Sequence, residues 1–474
     1  MRRGSASAER AELADPDHDT GPGMGQALLI CALIGTAQMT WGVVVPVLPL
    51  FVDDLHVPIV LLGPIIAAFA IGRVIANVPA GLALRRLPAR PMVLTVLVLL
   101  AAVTAVTGFV GDASWLIGLR LVAGLLGGAA ITLGFAVLFA GAPAARRGRV
   151  IAMATIVQMG AAAVGSMLGG VAVTLGGVPA AFLAAAVPVL VAVGIDLVRP
   201  ARGYWSALAD APARSPRAKA RDDASPREAR AAVDEREPAA SVDASAADAR
   251  AGVVEREPAA SVDPSVSEAS AIVTEREPEA SAAPPPSRPA DTRRVLVALA
   301  IVSFALFFAR FAGEQGLIPV LAYEVGGLTP MTLGIAFALG TVASAGALPL
   351  VGRWVDAGAK VPVVVVSALG AGGVMLLFGV LGSPWWFGAA IIAYAVATSL
   401  ANVVPSVVTA EVFPGRSSGA AVGVTRTAGD IGAAVGPLAV FALAELAGAW
   451  AGLTLLAVVP IAAMGWFLVV LRRR

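Results

Sequence analysis

Six ionisable residues interrupt otherwise apolar stretches of this sequence: Arg73, Arg120, Arg310, Glu314, Arg426 and Asp430. Each charge in hydrocarbon costs at least ~2.5–3.5 kcal/mol on insertion scales, so such residues line water-filled cavities or pair with one another. Arg310/Glu314 and Arg426/Asp430 are each spaced i,i+4, which brings both side chains to one helix face. Two readings stay open for each pair. The arginine can simply neutralise the carboxylate so that the helix inserts. Alternatively Glu314 or Asp430 carries a proton, and protonation ends its pairing and favours one helix arrangement over another. Four arginines against two acids leave a positive excess, which suits an anionic or carboxylate-bearing substrate. Arg73 and Arg120 could instead bond backbone carbonyls or clamp helices. Gln38, Trp41, Asn77, Gln158, Gln315 and Asn402 are candidates for lining a central cavity, and each could equally serve as a helix–helix hydrogen-bonding residue.

Other chemistries are poorly supplied. Cys31 is the single cysteine, and His18 and His56 lie far apart, so no spacing for a metal exists. No nucleophile–base constellation is visible. The chain lacks a G-x-x-x-x-G-K-[ST] phosphate loop, so it carries no ATP-driven motor of its own. An enzyme, a cofactor and a nucleic-acid partner are not expected.

The elements that must position these residues are long apolar segments. The chain has 474 residues, 58% hydrophobic and only 14% charged. Twelve segments are each long enough to cross a hydrocarbon core of ~30 Å as a helix. They fall at about 25–51, 58–84, 92–110, 114–141, 149–175, 178–198, 294–322, 329–353, 362–381, 384–411, 418–443 and 448–471. Only helices satisfy their own backbone in lipid, so an all-α, polytopic membrane protein follows. Residues 1–24, polar and acidic after Met1-Arg2-Arg3, do not resemble a cleaved signal peptide, and the first apolar stretch, longer than a signal core, is expected to be a retained first helix.

Loop charges set the orientation. One set of loops holds Arg85, Arg86 and Arg90, then Arg146, Arg147 and Arg149, then Lys360 and Arg416, with Arg2, Arg3 and Arg472–Arg474 at the ends. The alternate loops hold Asp53, Asp54, Asp112, Glu324 and Glu445 and no basic residue. By the positive-inside rule both termini face the cytoplasm, in a cell (inner or plasma) membrane. Trp115, Trp385, Trp386 and Trp450 then mark the outer interface. Residues 199–293 form a polar insert with a repeat at Glu235–Pro238, Glu255–Pro258 and Glu275–Pro278. Its composition predicts a disordered cytoplasmic tether. The expected organisation is a tail at 1–24, a six-helix bundle at 25–198, the linker at 199–293, a second bundle at 294–471 and a basic end at 472–474.

The two bundles repeat one another. At a constant offset of 271, Gly81 maps to Gly352, Gly148 to Gly419 and Gly165 to Gly436. Parallel repeats of this kind are related by an axis along the membrane normal, an architecture of carriers.

On these residues the chain resembles the major facilitator superfamily, in its twelve-helix drug:proton antiporter-like branch. Gly352-Arg353-Trp354-Val355-Asp356-Ala357-Gly358-Ala359-Lys360 is similar to the family's cytoplasmic gating loop, G-x-x-x-D-R-x-G-R-R. The first-half copy starts at Gly81 and carries Arg85 where the acidic residue is usual. Arg120 through Gly124 resembles R-x-x-x-G, whose arginine is linked to proton transfer. Gly165-Ser166-Met167-Leu168-Gly169 resembles the antiporter motif G-P-x-x-G, with Ser166 in place of proline; Gly436-Pro437 supplies the Gly-Pro step in the repeat. The resemblance implies two six-helix bundles rocking about a central site, no cofactor, and a monomer in lipid whose partners are protons and a small molecule. Proton-coupled efflux of a small organic molecule is the expected function. Proton-coupled uptake of an organic anion is the first alternative, and a ligand-sensing receptor or scaffold the second.

Overall fold

The structure, a computed structural model, describes residues 23–84, 86–143, 146–209, 289–413 and 416–473. Most of the expected tail and linker, and the gate residue Arg85, lie outside these residues. The described chain is helical throughout. In the first half, α1 spans Met24–Asp54, α2 Leu62–Ala83, α3 Ala89–Thr107 and α4 Ala113–Gly141. A 52-residue helical run, Arg147–Val198, follows. At 1.5 Å per residue it would be about 78 Å long, over twice a hydrocarbon core. It is broken at Gly176 and Gly177, and Gly177 has φ +69, a left-handed conformation that only glycine adopts freely. The run is therefore two membrane helices, α5 (147–175) and α6 (178–198). The packing agrees: Gly108 at the end of α3 lies against Pro179, while Arg90 at its start bonds Asp196. So α6 runs back antiparallel to α3.

The second half contains α8 (289–324), α9 (Pro330–Asp356), α10 (Lys360–Leu377), α11 (Pro384–Val412), α12 (Arg416–Ala447) and α13 (Ala449–Arg472). α8 is α-helical over Pro289–Ala309, π-helical over Arg310–Leu317 and α-helical again to Glu324. α11 is interrupted at Asn402. Among the described residues eleven helical runs are long and apolar enough to cross a membrane, and dividing the 147–198 run at Gly176–Gly177 makes twelve crossings, the number expected from hydropathy. Local chemistry fixes several helix starts. The Asp112 carboxylate accepts from Ser114 and Trp115 N–H groups at 2.8 and 3.2 Å, and Thr329 and Thr332 form a reciprocal cap at α9. Trp115, Trp385, Trp386 and Trp450 are exposed near helix ends on the face opposite the chain ends.

Two boundaries differ from expectation. Arg202–Ala209 is a short helix, α7, where a polar linker is expected from residue 199. Its Tyr204 and Trp205 are buried against the bundle, an amphipathic anchoring that average composition hides. The α8 helix begins at Pro289, five residues before the apolar run, because polar residues at a helix end need not be in lipid.

The halves reproduce one another helix by helix. α1 packs on α5, where a Cβ on Gly165 or Gly169 would stand 2.5 or 2.6 Å from the carbonyl oxygens of Met39 and Val43. The equivalent pair is α8 on α12, where Gly436 faces the Phe308 carbonyl at 2.6 Å in the same sense. α2 on α4 corresponds to α9 on α11, and α3 on α6 to α10 on α13. Small residues let such backbones approach closely, which is how helices associate without a hydrophobic drive.

Candidate central cavity

The halves meet along two seams, and both are closed on the face away from the chain ends. Across α2 and α12, Gly63 abuts the Pro437 carbonyl and Phe441. Across α5 and α9, Gly170 abuts Pro330 and Gly334 abuts Ser166. The Tyr323 hydroxyl, at the end of α8, donates to the Pro46 carbonyl in α1. A cavity of about 570 Å³ runs from mid-membrane toward the other face between α1, α5, α8, α9 and α11. The volume suits a drug-sized organic molecule. Its lining reaches Thr155, Leu348, Ser406 and Val407, toward the face that carries α7 and both described chain ends.

Arg310 and Glu314 stand on its wall. The Arg310 Nε lies 3.3 Å from a Glu314 carboxylate oxygen, so this i,i+4 pair forms as its spacing anticipates. The Arg310 guanidinium also covers the Trp41 ring at 5.5 Å, and that ring packs on Phe311 at 5.9 Å. Glu314 is ten residues from the end of α8, ~15 Å along a helix, close to the membrane midplane. Trp41, Phe307 and Phe337 give the cavity an aromatic side. Thr341, Thr398, Asn402 and Ser406 give it a polar one.

The second i,i+4 pair does not form. Asp430 is buried and bonds across the halves instead: Arg73 Nη2 is 3.5 Å away, and Asn77 Nδ2 donates at 3.0 Å. Thr132 donates in turn to Asn77 Oδ1 at 3.1 Å, which continues the network into α4. Among the described residues no ion pair holds Arg426, which is exposed one turn away. The reason is packing. α12 lies on α2 with Asp430 turned into the interface, and a buried carboxylate takes the donors buried with it rather than one facing water.

The remaining candidates scatter. Arg120 is buried, with its guanidinium 4.7 Å from the Phe69 ring and its Nε and Nη2 without a partner among the described residues. Gln315 is fully buried and its amide has no partner among them; it lies one residue from Glu314 and so on another helix face. Gln38 and Gln158 are half-buried and are not among the cavity-lining residues. Asn402 lines the cavity, and its amide donates to the Thr398 carbonyl at 3.0 Å. Ser166 also lines it and, where the motif has proline, bonds the Gly42 carbonyl of α1 at 3.0 Å. A proline there would have no hydroxyl to tie the two helices.

At the expected gate, a Cβ on Gly81 or Gly352 would meet nothing within 4 Å, so neither glycine serves a close approach in this conformation. Asp356 and Arg353 are exposed, and no ion pair holds Asp356 among the described residues. Lys360 binds both carboxylate oxygens of Glu411, at 2.6 and 2.8 Å, within its own half. Gly358, at φ +92, makes the turn between α9 and α10.

Sequence reading missed Asp196. It is fully buried and accepts from Arg90 Nε at 2.9 Å, Trp205 Nε1 at 3.0 Å and the Ala201 N–H at 3.3 Å. This carboxylate fixes α7 beneath the first bundle, where Gln26 also accepts from the Gly203 N–H at 2.9 Å. An acidic residue ending an apolar run, with Trp205 nine residues on, was the available signal.

A family model described as Major Facilitator Superfamily matches residues 30–437 and also 299–474. No curated protein matches the chain. Among solved structures, the crystal structure of the nucleoside transporter NupG matches with a TM-score of 0.61 and 11% identity, covering 95% of this chain and 100% of that one. At that identity the likeness is one of fold.

Proposed function

Because the chain belongs to the major facilitator superfamily, and so is a secondary transporter rather than an enzyme, we propose that it exports a small organic molecule from the cytoplasm in exchange for protons. The observation that carries this reading is the Arg310–Glu314 pair on the wall of the central cavity. Among the described residues that line it, Glu314 is the one carboxylate. A proton on Glu314 cancels its attraction to Arg310, and a cationic or hydrogen-bond-donating ligand seated beside it favours the ionised form, so proton and such a ligand exclude one another. On this reading the two occupancies alternate at one site, which is the requirement for antiport. Charge asymmetry of the loops supports placing the open face in the cytoplasm, where cargo for export is loaded. Asp430 is assigned a different part, holding the halves together at the α2–α12 seam through Arg73 and Asn77.

The test is transport in reconstituted vesicles under an imposed pH gradient, with wild type beside Glu314→Gln. Organic solutes should move against the proton flow, and the glutamine variant should lose gradient-driven accumulation by ~10²-fold or more while keeping downhill exchange, the range for losing a positioned proton-transfer group. Movement in the same direction as protons would replace export by uptake. Transport indifferent to both gradient and variant would leave the pair as a structural salt bridge.

A further inference from the structure

The polar wall of the cavity has a chemical bias. Along α11, Thr398, Asn402 and Ser406 recur every four residues and form one ladder, continued on α9 by Thr341. Each of these groups spends a donor on its own helix. Thr341 Oγ1 donates to the Phe337 carbonyl at 3.1 Å, Thr398 Oγ1 to Tyr394 at 2.9 Å, and Ser406 Oγ to Asn402 at 2.7 Å. The Asn402 amide gives one N–H to Thr398 at 3.0 Å. A hydroxyl has one proton and two lone pairs. Once its proton is committed, only lone pairs remain for a ligand, so the ladder is rich in acceptors and poor in donors.

The charges bias the site in the same direction. Of the six intramembrane ionisable residues, only Arg310 and Glu314 line the cavity, and they are paired. Arg73 is paired with Asp430, Arg120 lies against the Phe69 ring and Arg426 is exposed, and none of the three is among the lining residues, so the positive excess counted in sequence lies outside the lining. Along this ladder an organic anion would meet lone pairs beside a carboxylate and a guanidinium already paired with it, with the donors that α11 leaves on the lining confined to the Tyr394 and Ser399 hydroxyls and the second Asn402 N–H.

We propose that the α9–α11 ladder is the specificity wall of the cavity and selects a ring-bearing molecule without net negative charge whose polar end donates hydrogen bonds, such as an aryl alkylamine. The ring lies against Trp41, Phe307 and Phe337, and the donors bond the ladder oxygens with Glu314 as a further acceptor. This rests on the cavity being the transport site.

The test measures equilibrium binding to the full-length purified protein, without a membrane gradient, for three matched probes: tryptamine, its N,N,N-trimethyl derivative and indole-3-propionate. All three keep the ring; the second keeps the charge but loses the ammonium donors, and the third reverses the charge. Tryptamine should bind at least about tenfold tighter than either, an amount one or two hydrogen bonds to a charged group supply. In Thr398→Val/Ser406→Ala, which leaves Thr341, Asn402 and Glu314 as acceptors, the preference over the trimethyl probe should fall severalfold, whereas Thr398→Ser, which keeps the acceptor, should retain it. Best binding by the propionate, binding of none of the three, or a preference untouched by the double substitution would overturn the proposal. Because binding is read without transport, a preserved preference together with failed proton coupling in vesicles would sink the antiport reading and leave this one standing.

Discussion

At the scale of single residues, partner choice decides what each buried charge does. Arg310 and Glu314 pair within one helix because the π-helical turn presents both to the same cavity; such turns recur at functional positions. Asp430 ignores its equally spaced Arg426 because the opposite half buries Arg73 and Asn77 against it. The two arginines should therefore differ in stability. Arg73→Met leaves a carboxylate in the α2–α12 seam without its cation and should cost about 3 kcal/mol, the range for breaking one side of a buried pair. Arg426→Met removes an exposed charge and should cost under ~1 kcal/mol. Thermal unfolding in detergent reads both, and Arg73→Met/Asp430→Leu should recover most of the loss by replacing the pair with apolar groups. Equal losses for the two arginines would restore the in-helix pair.

At the scale of helices, glycine position rather than glycine number sets the packing. A Cβ on Gly169 would stand 2.6 Å from the Val43 carbonyl oxygen, an atom of helix backbone that cannot turn aside, whereas one on Gly160, in the same helix, meets nothing within 4 Å. Gly169→Val should thus cost ~1–3 kcal/mol, the range for overpacking, and lower the yield of folded protein in a size-exclusion assay, while Gly160→Val should not. If both variants behave alike, the α1–α5 contact is not the one described. Much of this level was legible in the sequence. Hydropathy marked twelve crossings, and the constant offset of Gly81, Gly148 and Gly165 marked the repeat that the α1–α5 and α8–α12 pairs embody. What the sequence withheld depended on contacts between distant segments. The spacing of Arg426 and Asp430 permits a pair but says nothing of Arg73, 357 residues away. Asp196 has meaning only beside Arg90 and Trp205. The π-turn leaves no mark in residue type, and α7 was lost in the average polarity of the insert.

At the scale of the molecule, two halves meet at seams sealed on the face away from the chain ends. Backbone-to-glycine contacts close the α2–α12 and α5–α9 seams, and the Tyr323–Pro46 bond ties α8 to α1 on the same side. On the other face Asp356 is exposed and Lys360 is engaged within its own half, so neither ties the halves together there. A carrier in this form exposes its site to one side, and the balance between forms is set by the bonds each makes. Removing a bond made only here should move that balance. In a Cys31→Ala background, Ala395→Cys places a thiol on the cavity lining, and it should react with an impermeant thiol reagent from the face that carries the chain ends. Tyr323→Phe deletes one hydrogen bond of the seal, worth ~1 kcal/mol net. That change shifts the ratio of the two forms about fivefold, so labelling from the opposite face should rise relative to the first by a similar factor. Reaction of Ala395→Cys only from the sealed side, or a ratio indifferent to Tyr323→Phe, would mean that the outer seam does not govern access to the cavity.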